Sequence, residues 1–172
     1  MKGPVRAYIS LGSNIEPERH ITRAIEELRR LSPALVLSPV YRSRAVGFEG
    51  EDFLNLVAGL DTELPPEQLV ERLRAIEDRC GRKRGKARFA PRTLDLDLIL
   101  YGDRVSASPP LPRPEILAYA FVLAPLADIA GSERHPVVKE TYRALWEAFD
   151  KEDQPLERVD LFTGTRSAPH PR

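Results

Sequence analysis

The sequence is poor in the residues that build metal clusters and covalent frameworks. It has one cysteine and three histidines in 172 residues. A single cysteine rules out an intramolecular disulfide, and the widely separated His20, His135 and His170 show no zinc-ligand spacing. No Ser/His/Asp or Cys/His arrangement has local support either. We therefore expect neither a disulfide framework, nor a zinc site, nor nucleophilic catalysis by a triad.

The chain also lacks an excess of charge and a long hydrophobic run. Its 26 basic residues balance 26 acidic ones, which argues against wholesale binding to nucleic acid or an anionic membrane, although a local patch is still allowed. With no signal-like apolar start and no membrane-length apolar run, we expect a cytoplasmic protein. Glycine-rich nucleotide motifs are missing too, because Gly81 to Lys86 does not match Gly-x-x-x-x-Gly-Lys-Ser/Thr.

The apolar pattern predicts one domain over residues 1–150 and a charged, loosely ordered tail over 151–172, in which Leu156 to Phe162 is best able to order. Strands are expected where apolar residues alternate, and helices where they recur every three or four positions. Read in this way, the order is β-α-β-β-α-β, with strands over 5–11, 35–42, 53–62 and around 94–100. It predicts an α+β fold, a ferredoxin-like antiparallel sheet with helices packed on it and a C-terminal helical extension near 137–149.

Local signals refine this outline. Ser13 and Glu16 have capping-box spacing, which predicts that the first helix begins there. Pro39 suggests that the second strand lies at an edge of the sheet. Cys80 falls on the apolar stripe of the second helix and is expected in the core. In the third helix, one face is expected to carry Val138, Thr141, Tyr142, Leu145 and Phe149.

The most informative segment is an apolar strand that contains two carboxylates. Because side chains alternate on a strand, Asp95 and Asp97 share one face, with their Cα atoms about 7 Å apart, while four leucines from Leu94 to Leu100 face the other way. A basic segment broken by glycine and proline precedes them, with Arg79, Arg82, Lys83, Arg84, Lys86, Arg88 and Arg92. Carboxylates beside a flexible basic loop suggest Mg²⁺ holding a polyphosphate.

Each half of that pattern also has a plainer interpretation. An Asp-x-Asp on a strand is usually a solvated strand face, and an arginine run is usually a solvated loop or a contact to nucleic acid. What favours the metal and phosphate hypothesis is that the two features are adjacent. A chain with no net charge has no general need to place so much positive charge beside two strand carboxylates.

Five motifs, in order, resemble the 6-hydroxymethyl-7,8-dihydropterin pyrophosphokinase family of folate biosynthesis. They lie at Tyr8–Asn14, Phe53–Asn55, Ile76–Glu77, Arg88–Asp97 and Phe121–Leu126. The resemblance implies transfer of the β,γ-diphosphate of ATP to the hydroxymethyl oxygen of the pterin, with release of AMP. It also implies two Mg²⁺ ions and a ferredoxin-like core, and no nucleic-acid or membrane partner. A monomer is expected.

Matched position by position, the resemblance implies a set of site residues. The metal ligands would be Asp95 and Asp97, and these act in catalysis with Arg82 and Arg92. The pterin would be bound by Ser43, Val46, Gly47, Phe53, Asn55 and Phe121. The residues expected to bind ATP are Glu77, Arg82, Arg84, Arg88, Phe89, Arg92, Leu98, which would pack on the adenine, and Arg113.

The chain departs from the family pattern at three positions. Phe89 stands where members commonly have Trp, Arg113 where many have His, and Tyr119 where many have Arg, so contacts on the ATP side differ here. Two rival functions stay open. One is an RNA-binding module on a ferredoxin-like sheet, which would need more aromatic and basic residues on its central strands than the lone Phe53. The other is a lapsed family member that serves as a scaffold.

Overall fold

The computed structural model describes residues 3–43, 52–81 and 93–160. In these ranges a six-stranded antiparallel sheet forms the centre, in the order β5-β1-β4-β3-β6, and β2 also pairs with β4. The strands are β1 Val5–Ser13, β2 Val36–Leu37, β3 Val40–Ser43, β4 Phe53–Thr62, β5 Asp95–Tyr101 and β6 Glu157–Val159. The α+β class is confirmed.

Five helices pack on this sheet in the described ranges. They are α1 Pro17–Leu31, α2 Pro66–Arg79, α3 Glu115–Ala118, α4 Ala120–Ala130 and α5 Tyr142–Ala148. Prolines stand at the start of both α1 and α2, where a missing N–H costs no helical hydrogen bond. None of the helices described is long and apolar enough to span a membrane.

The alternation of the strands builds two cores, one on each face of the sheet. On the first face, Ile9, Leu11 and Leu56 pack in one cluster with Leu28 of α1 and Leu73 of α2. The second face carries a smaller cluster, which joins strand residues to the helices after β5: Tyr8, Val57, Ile99, Leu100, Ile116, Val122, Leu126 and Tyr142. Cys80 is buried in the first core, as predicted. Each fully buried Leu or Ile contributes roughly 1.5–3 kcal/mol.

Two helix starts differ from the predictions. Helix α1 begins at Pro17 after a left-handed Glu16, and no side chain caps it. The Ser13 hydroxyl instead donates to the Thr93 carbonyl at 2.5 Å, so the predicted capping box is wrong. Helix α5 begins at Tyr142, because Thr141 caps it by accepting from the Ala144 N–H, and the exposed Val138 precedes the helix.

Two strands also differ from the simple pattern. The predicted second strand is divided at Pro39 into β2 and β3, and β3 lies between β4 and β6 rather than at an edge. In β5 a bulge adds one residue opposite the Tyr8–Ile9 step of β1, which turns Leu100 to the face opposite Leu96 and Leu98.

Part of the predicted tail belongs to the sheet. Strand β6 lies inside the 156–162 stretch that the sequence favours for order, and it pairs antiparallel with β3. Its register places Arg158 opposite Tyr41 and Glu157 opposite Arg42. Residues 151–160 are therefore tied to the domain, and the division of the chain at residue 150 stays a prediction.

Candidate active site

One row of paired residues crosses five strands near one end of the sheet. It runs from Asp95 through Gly12, Asn55 and Tyr41 to Arg158. Directly paired residues of antiparallel strands share a face, and strands lie about 4.8 Å apart. The predicted metal ligand and the predicted pterin-binding amide are therefore two strands apart on one face. We call these five residues the site row.

Gly12 keeps the middle of the site row open. A Cβ atom at this position would lie 3.0 Å from Asn55 Oδ1 and 3.9 Å from Phe53 Cδ1. Any larger residue would fill the space between the carboxylates of β5 and the polar side chain on β4. Gly12 lies in one of the family motifs without a predicted role, although a glycine inside a strand is itself a signal of close approach.

The two carboxylates are accessible on this face. Asp97 pairs with Ser10 in the row beside the site row, and 46% of its side chain is exposed. Arg113 brings a positive charge to it, with Nη2 at 4.0 Å from Asp97 Oδ1 and 3.0 Å from Glu115 Oε2. Accessible carboxylate oxygens on one face are donors suited to a hard divalent cation, which completes its shell with water and phosphate oxygens. The residues present thus fit such an ion.

Glu77 supports β5 from the other side. Its side chain is fully buried, and Oε2 accepts a hydrogen bond of 2.7 Å from the backbone N–H of Leu96. Arg74 Nη1 lies 4.0 Å from the other carboxylate oxygen. Leu96 stands between Asp95 and Asp97, so Glu77 holds the backbone that carries both carboxylates.

Three of the predicted pterin residues are brought together. The Asn55 side chain is only 3% exposed, and its Nδ2 donates to Ser43 Oγ at 2.7 Å. Phe53, half-buried, pairs with Ser43 across β3 and β4 and lies on the same face as Asn55. An amide fixed by a hydroxyl beside an aromatic ring can recognise the polar edge of a flat ring and cover its surface.

Phe121 stands on a separate element. It lies in the first turn of α4, which packs on β4, and its ring stacks on Tyr119 with centroids 5.1 Å apart and an interplanar angle of 21°. Tyr119 is one of the departures from the family pattern, and here it supplies an aromatic neighbour. The position of the Phe121 ring relative to β4 therefore depends on how α4 packs against the sheet.

Leu98 is not presented on the site face. Its side chain is 5% exposed and belongs to the core under α1 and α2, on the opposite side of β5 from Asp95 and Asp97. Its predicted contact with adenine stays a prediction. Seven other predicted site residues lie outside the described residues: Val46, Gly47, Arg82, Arg84, Arg88, Phe89 and Arg92.

Described residues that flank the ranges 44–51 and 82–92 lie near the site row. Ser43 at the end of β3 is bonded to Asn55, and Thr93 before β5 is bonded to Ser13. Gly81 follows α2, whose Glu77 contacts β5 beside Asp95. Ser43 and Thr93 thus lie at the end of the sheet that carries the site row.

Comparison with known proteins agrees with these features. Residues 8–131 match the model of the 7,8-dihydro-6-hydroxymethylpterin-pyrophosphokinase family. The chain is 43% identical over 137 residues to the 2-amino-4-hydroxy-6-hydroxymethyldihydropteridine pyrophosphokinase of Pseudomonas aeruginosa, which covers 76% of this chain and 84% of that protein. It is 34% identical over 137 residues to the Aquifex aeolicus protein of the same name, covering 77% and 85%.

The fold is also that of solved relatives. A crystal structure of wild-type HPPK-DHPS of Plasmodium falciparum with SDX-DHP superposes with a TM-score of 0.63 at 13% identity. The match covers 83% of this chain and 43% of that longer chain. At this identity the likeness shows the fold, and the sequence relatives show the family. The chain belongs to the 7,8-dihydro-6-hydroxymethylpterin-pyrophosphokinase family.

Proposed function

We propose that the chain carries out its family's reaction on the face of the sheet that bears the site row. The chain is an ATP-dependent diphosphotransferase of folate biosynthesis, which transfers a pyrophosphoryl group from ATP to 6-hydroxymethyl-7,8-dihydropterin. The observation that carries the assignment to this site is the shared face. Asp95 and Asp97 lie on it at one side of Gly12, and Asn55 lies at the other.

The reaction is a displacement at the β-phosphorus of ATP. The hydroxymethyl oxygen of the pterin forms a bond to that phosphorus, the bond to the oxygen bridging the α-phosphate breaks, and AMP leaves with the electron pair. The hydroxyl proton is lost to solvent. Positioning and neutralisation of charge are the main contributions a protein makes to such a transfer.

In this proposal Asp95 and Asp97 would bind two Mg²⁺ ions. Bound there, the ions would neutralise the charge on the phosphate oxygens as AMP leaves. The support lies in the donor set, two accessible carboxylates on one strand face, and in Glu77, which fixes the backbone between them. Arg113, whose Nη2 lies 4.0 Å from Asp97 Oδ1, would contact the phosphates on the same side.

The pterin would lie over Gly12 and β4. Asn55 and Ser43 would bind its polar edge, and Phe53 and Phe121 would cover its two surfaces. Val46 and Gly47 would add backbone contacts. Support comes from the buried Asn55–Ser43 hydrogen bond, which orients the amide before a ligand arrives.

The nucleotide would extend along the outer side of β5. In our proposal Arg82 and Arg92 clamp the phosphates, and Arg84, Arg88 and Phe89 assist from the same segment. Leu98 would act through its backbone. Since the Leu96 N–H points away from β1 towards Glu77, the backbone groups of Leu98, two residues on, point outwards as well and can meet the edge of an adenine. We also propose a cytoplasmic location, where both substrates are available, and a monomeric state.

Product analysis by ³¹P NMR tests the proposal. ATP, Mg²⁺ and 6-hydroxymethyl-7,8-dihydropterin are expected to yield AMP and a diphosphorylated pterin with the wild type. The variant Asp97→Asn should lose this turnover by at least about a hundredfold. Asp103→Asn is the matched control, because this exposed carboxylate follows β5 at the far end of the sheet, and it should keep the activity.

Other products would contradict the proposal in distinct ways. ADP in place of AMP would mean transfer of a single phosphoryl group. Hydrolysis without any pterin product would indicate an ATPase. Pterin-independent binding of single-stranded RNA, with no turnover, would favour the RNA-binding hypothesis.

A further inference from the structure

The site row continues beyond the pterin side, and its last two members contact helix α4. The Tyr41 hydroxyl donates to Asp128 Oδ2 at 2.5 Å. Arg158 Nη2 lies 3.4 Å from Asp128 Oδ1 and 3.3 Å from the Tyr41 hydroxyl oxygen, and its guanidinium carbon lies 5.6 Å from the centre of the Tyr41 ring. These three side chains connect β3, α4 and β6. We call them the clamp.

The clamp is adjacent to the pterin residues on both the sheet and the helix. On the sheet, Tyr41 pairs directly with Asn55 and shares its face. On α4, Asp128 follows Phe121 by seven residues, which places both on the same side of the helix about 10 Å apart. The clamp thus joins the strand row that holds Asn55 to the helix side that holds Phe121.

A second tail residue holds the other end of α4. The side-chain amide of Gln154 accepts from the Ala120 N–H at 2.8 Å and donates to the Ala118 carbonyl at 3.0 Å. These contacts lie on either side of Tyr119 and directly before Phe121. Gln154 and Arg158 therefore tie α4 to the tail near its first turn and near its last one.

A proline inside α4 weakens the helix between its two supports. Pro125 lies inside it, between Phe121 and Asp128, and has no N–H to bond to the Phe121 carbonyl. The backbone hydrogen bonds of α4 are therefore interrupted between Phe121 and Asp128. The orientation of the first turn of α4 then depends on contacts with other elements as well as on the helix itself.

We infer that Tyr41, Asp128 and Arg158, with Gln154, position α4 so that Phe121 stands at the distance from Asn55 that a bound pterin requires. The inference rests on the proposed function, and it makes these four positioning residues. Two of them, Gln154 and Arg158, lie outside residues 8–131, the part that matches the family model. The tail of this chain would thus contribute to substrate affinity without touching substrate.

The test compares two arginines on the same strand pair. Arg158→Met removes the positive charge of the clamp and keeps an unbranched side chain in its place. Arg42→Met is its control, because Arg42 forms an exposed ion pair of 2.9 Å with Glu157 between the same two strands, on the opposite face. The readouts are the Kd of a non-hydrolysable ATP analogue with Mg²⁺, the Kd and KM of the pterin, kcat and the melting temperature.

We expect Arg158→Met to raise the pterin Kd and KM about threefold to tenfold and to leave the Kd of the ATP analogue unchanged. Arg158→Lys should recover part of the loss, and Arg42→Met should bind pterin as the wild type does. The inference is overturned if Arg158→Met matches Arg42→Met, or if it weakens the two ligands equally. Should Arg158→Met not fold, Tyr41→Phe offers the same comparison, since it removes only the hydroxyl.

These outcomes separate the inference from the proposed function. If the wild type does not bind the pterin, the proposed function itself is contradicted. If the wild type and the clamp variants bind the pterin equally well, only the positioning role of the clamp is contradicted.

Discussion

At the scale of single residues, the site depends on one missing side chain and one buried carboxylate. Gly12 leaves room between the β5 carboxylates and Asn55, and Glu77 supports β5 from behind. In the proposed reaction neither residue takes part in the chemistry. Both position the residues that are proposed to do so.

We expect Gly12→Ala to raise the pterin KM at least about tenfold, because the new methyl group would lie 3.0 Å from Asn55 Oδ1 and force that amide to move. Steady-state kinetics with varied pterin and ATP checks this. Gly59→Ala is the control: its methyl group would lie 3.0 Å from Tyr8 Cε1 at the covered end of the same face. It should lower the melting temperature and leave the pterin KM unchanged; equal effects on KM would mean general disturbance of the sheet.

Replacing Glu77 should separate its hydrogen bond from its charge. Glu77→Met leaves the buried Leu96 N–H without its acceptor, which we expect to cost roughly 1–3 kcal/mol of unfolding free energy and to lower kcat. Glu77→Gln keeps an acceptor and should lose less of both. Urea unfolding and kinetics on the two variants make the measurement. If Gln is as damaging as Met, the charge of Glu77 matters more than the bond.

At the scale of elements, the connection between α4 and α5 is organised by a buried histidine. His135 Nδ1 accepts hydrogen bonds from the N–H groups of Val137 and Val138, each at 3.1 Å. Burial lowers the pKa of His135 below its usual value of 6.5. A proton on Nδ1 would also face two N–H donors, so the folded state holds this ring neutral.

This histidine predicts a loss of stability in mild acid. Because the folded pKa lies below the unfolded one, the unfolded chain binds more protons as the pH falls below about 6.5, and the free energy of unfolding decreases there. Urea unfolding at pH 7.5 and at pH 5.5 measures the change. His135→Asn can accept the same two bonds without titrating, and its stability should fall less over this interval. An equal fall in both proteins would assign the acid sensitivity to other groups.

At the scale of the whole molecule, the second face of the sheet is covered by helices that follow the last strand of the ferredoxin-like unit. Tyr8 makes one of these connections, donating to Glu133 Oε2 at 2.5 Å, and its pKa is raised to about 12, chiefly by burial. The tail makes another through β6 and Gln154. The helices after β5 are thus secured to the sheet by contacts between residues far apart in the chain.

Two truncations should show how much the tail contributes. A chain that ends at Asp153 lacks Gln154 and β6, whereas one that ends at Asp160 retains both. We expect the shorter chain to melt several degrees lower and to bind pterin more weakly, because it leaves β3 without its outer partner and α4 without its supports. Thermal unfolding by circular dichroism compares them. Identical melting curves would show that β6 adds no stability.

Features of the fold and site that depend on neighbouring residues in the chain could be predicted, whereas features that depend on contacts between distant residues could not. Strand alternation placed Asp95 and Asp97 on one face, and helix periodicity placed Cys80 in the core. Two local predictions were wrong because a partner far away in the chain changed the outcome: the capping box at Ser13 and the face of Leu100. Ser13 bonds to Thr93, 80 residues away, instead of capping α1, and the bulge that turns Leu100 arises from pairing with β1.

The sequence by itself determined the order of the helices and strands from β1 to β5, apart from the division of the second strand at Pro39. It also determined the two carboxylates on one strand and, through its motifs, the family. These follow from local periodicity and from short runs of residues, which need no knowledge of partners. Only the tertiary structure decided that Asp95, Gly12, Asn55, Tyr41 and Arg158 form one row, and that Asp128 meets its end. Strand register and helix packing depend on the summed burial of residues far apart in the chain, and no short pattern encodes that sum.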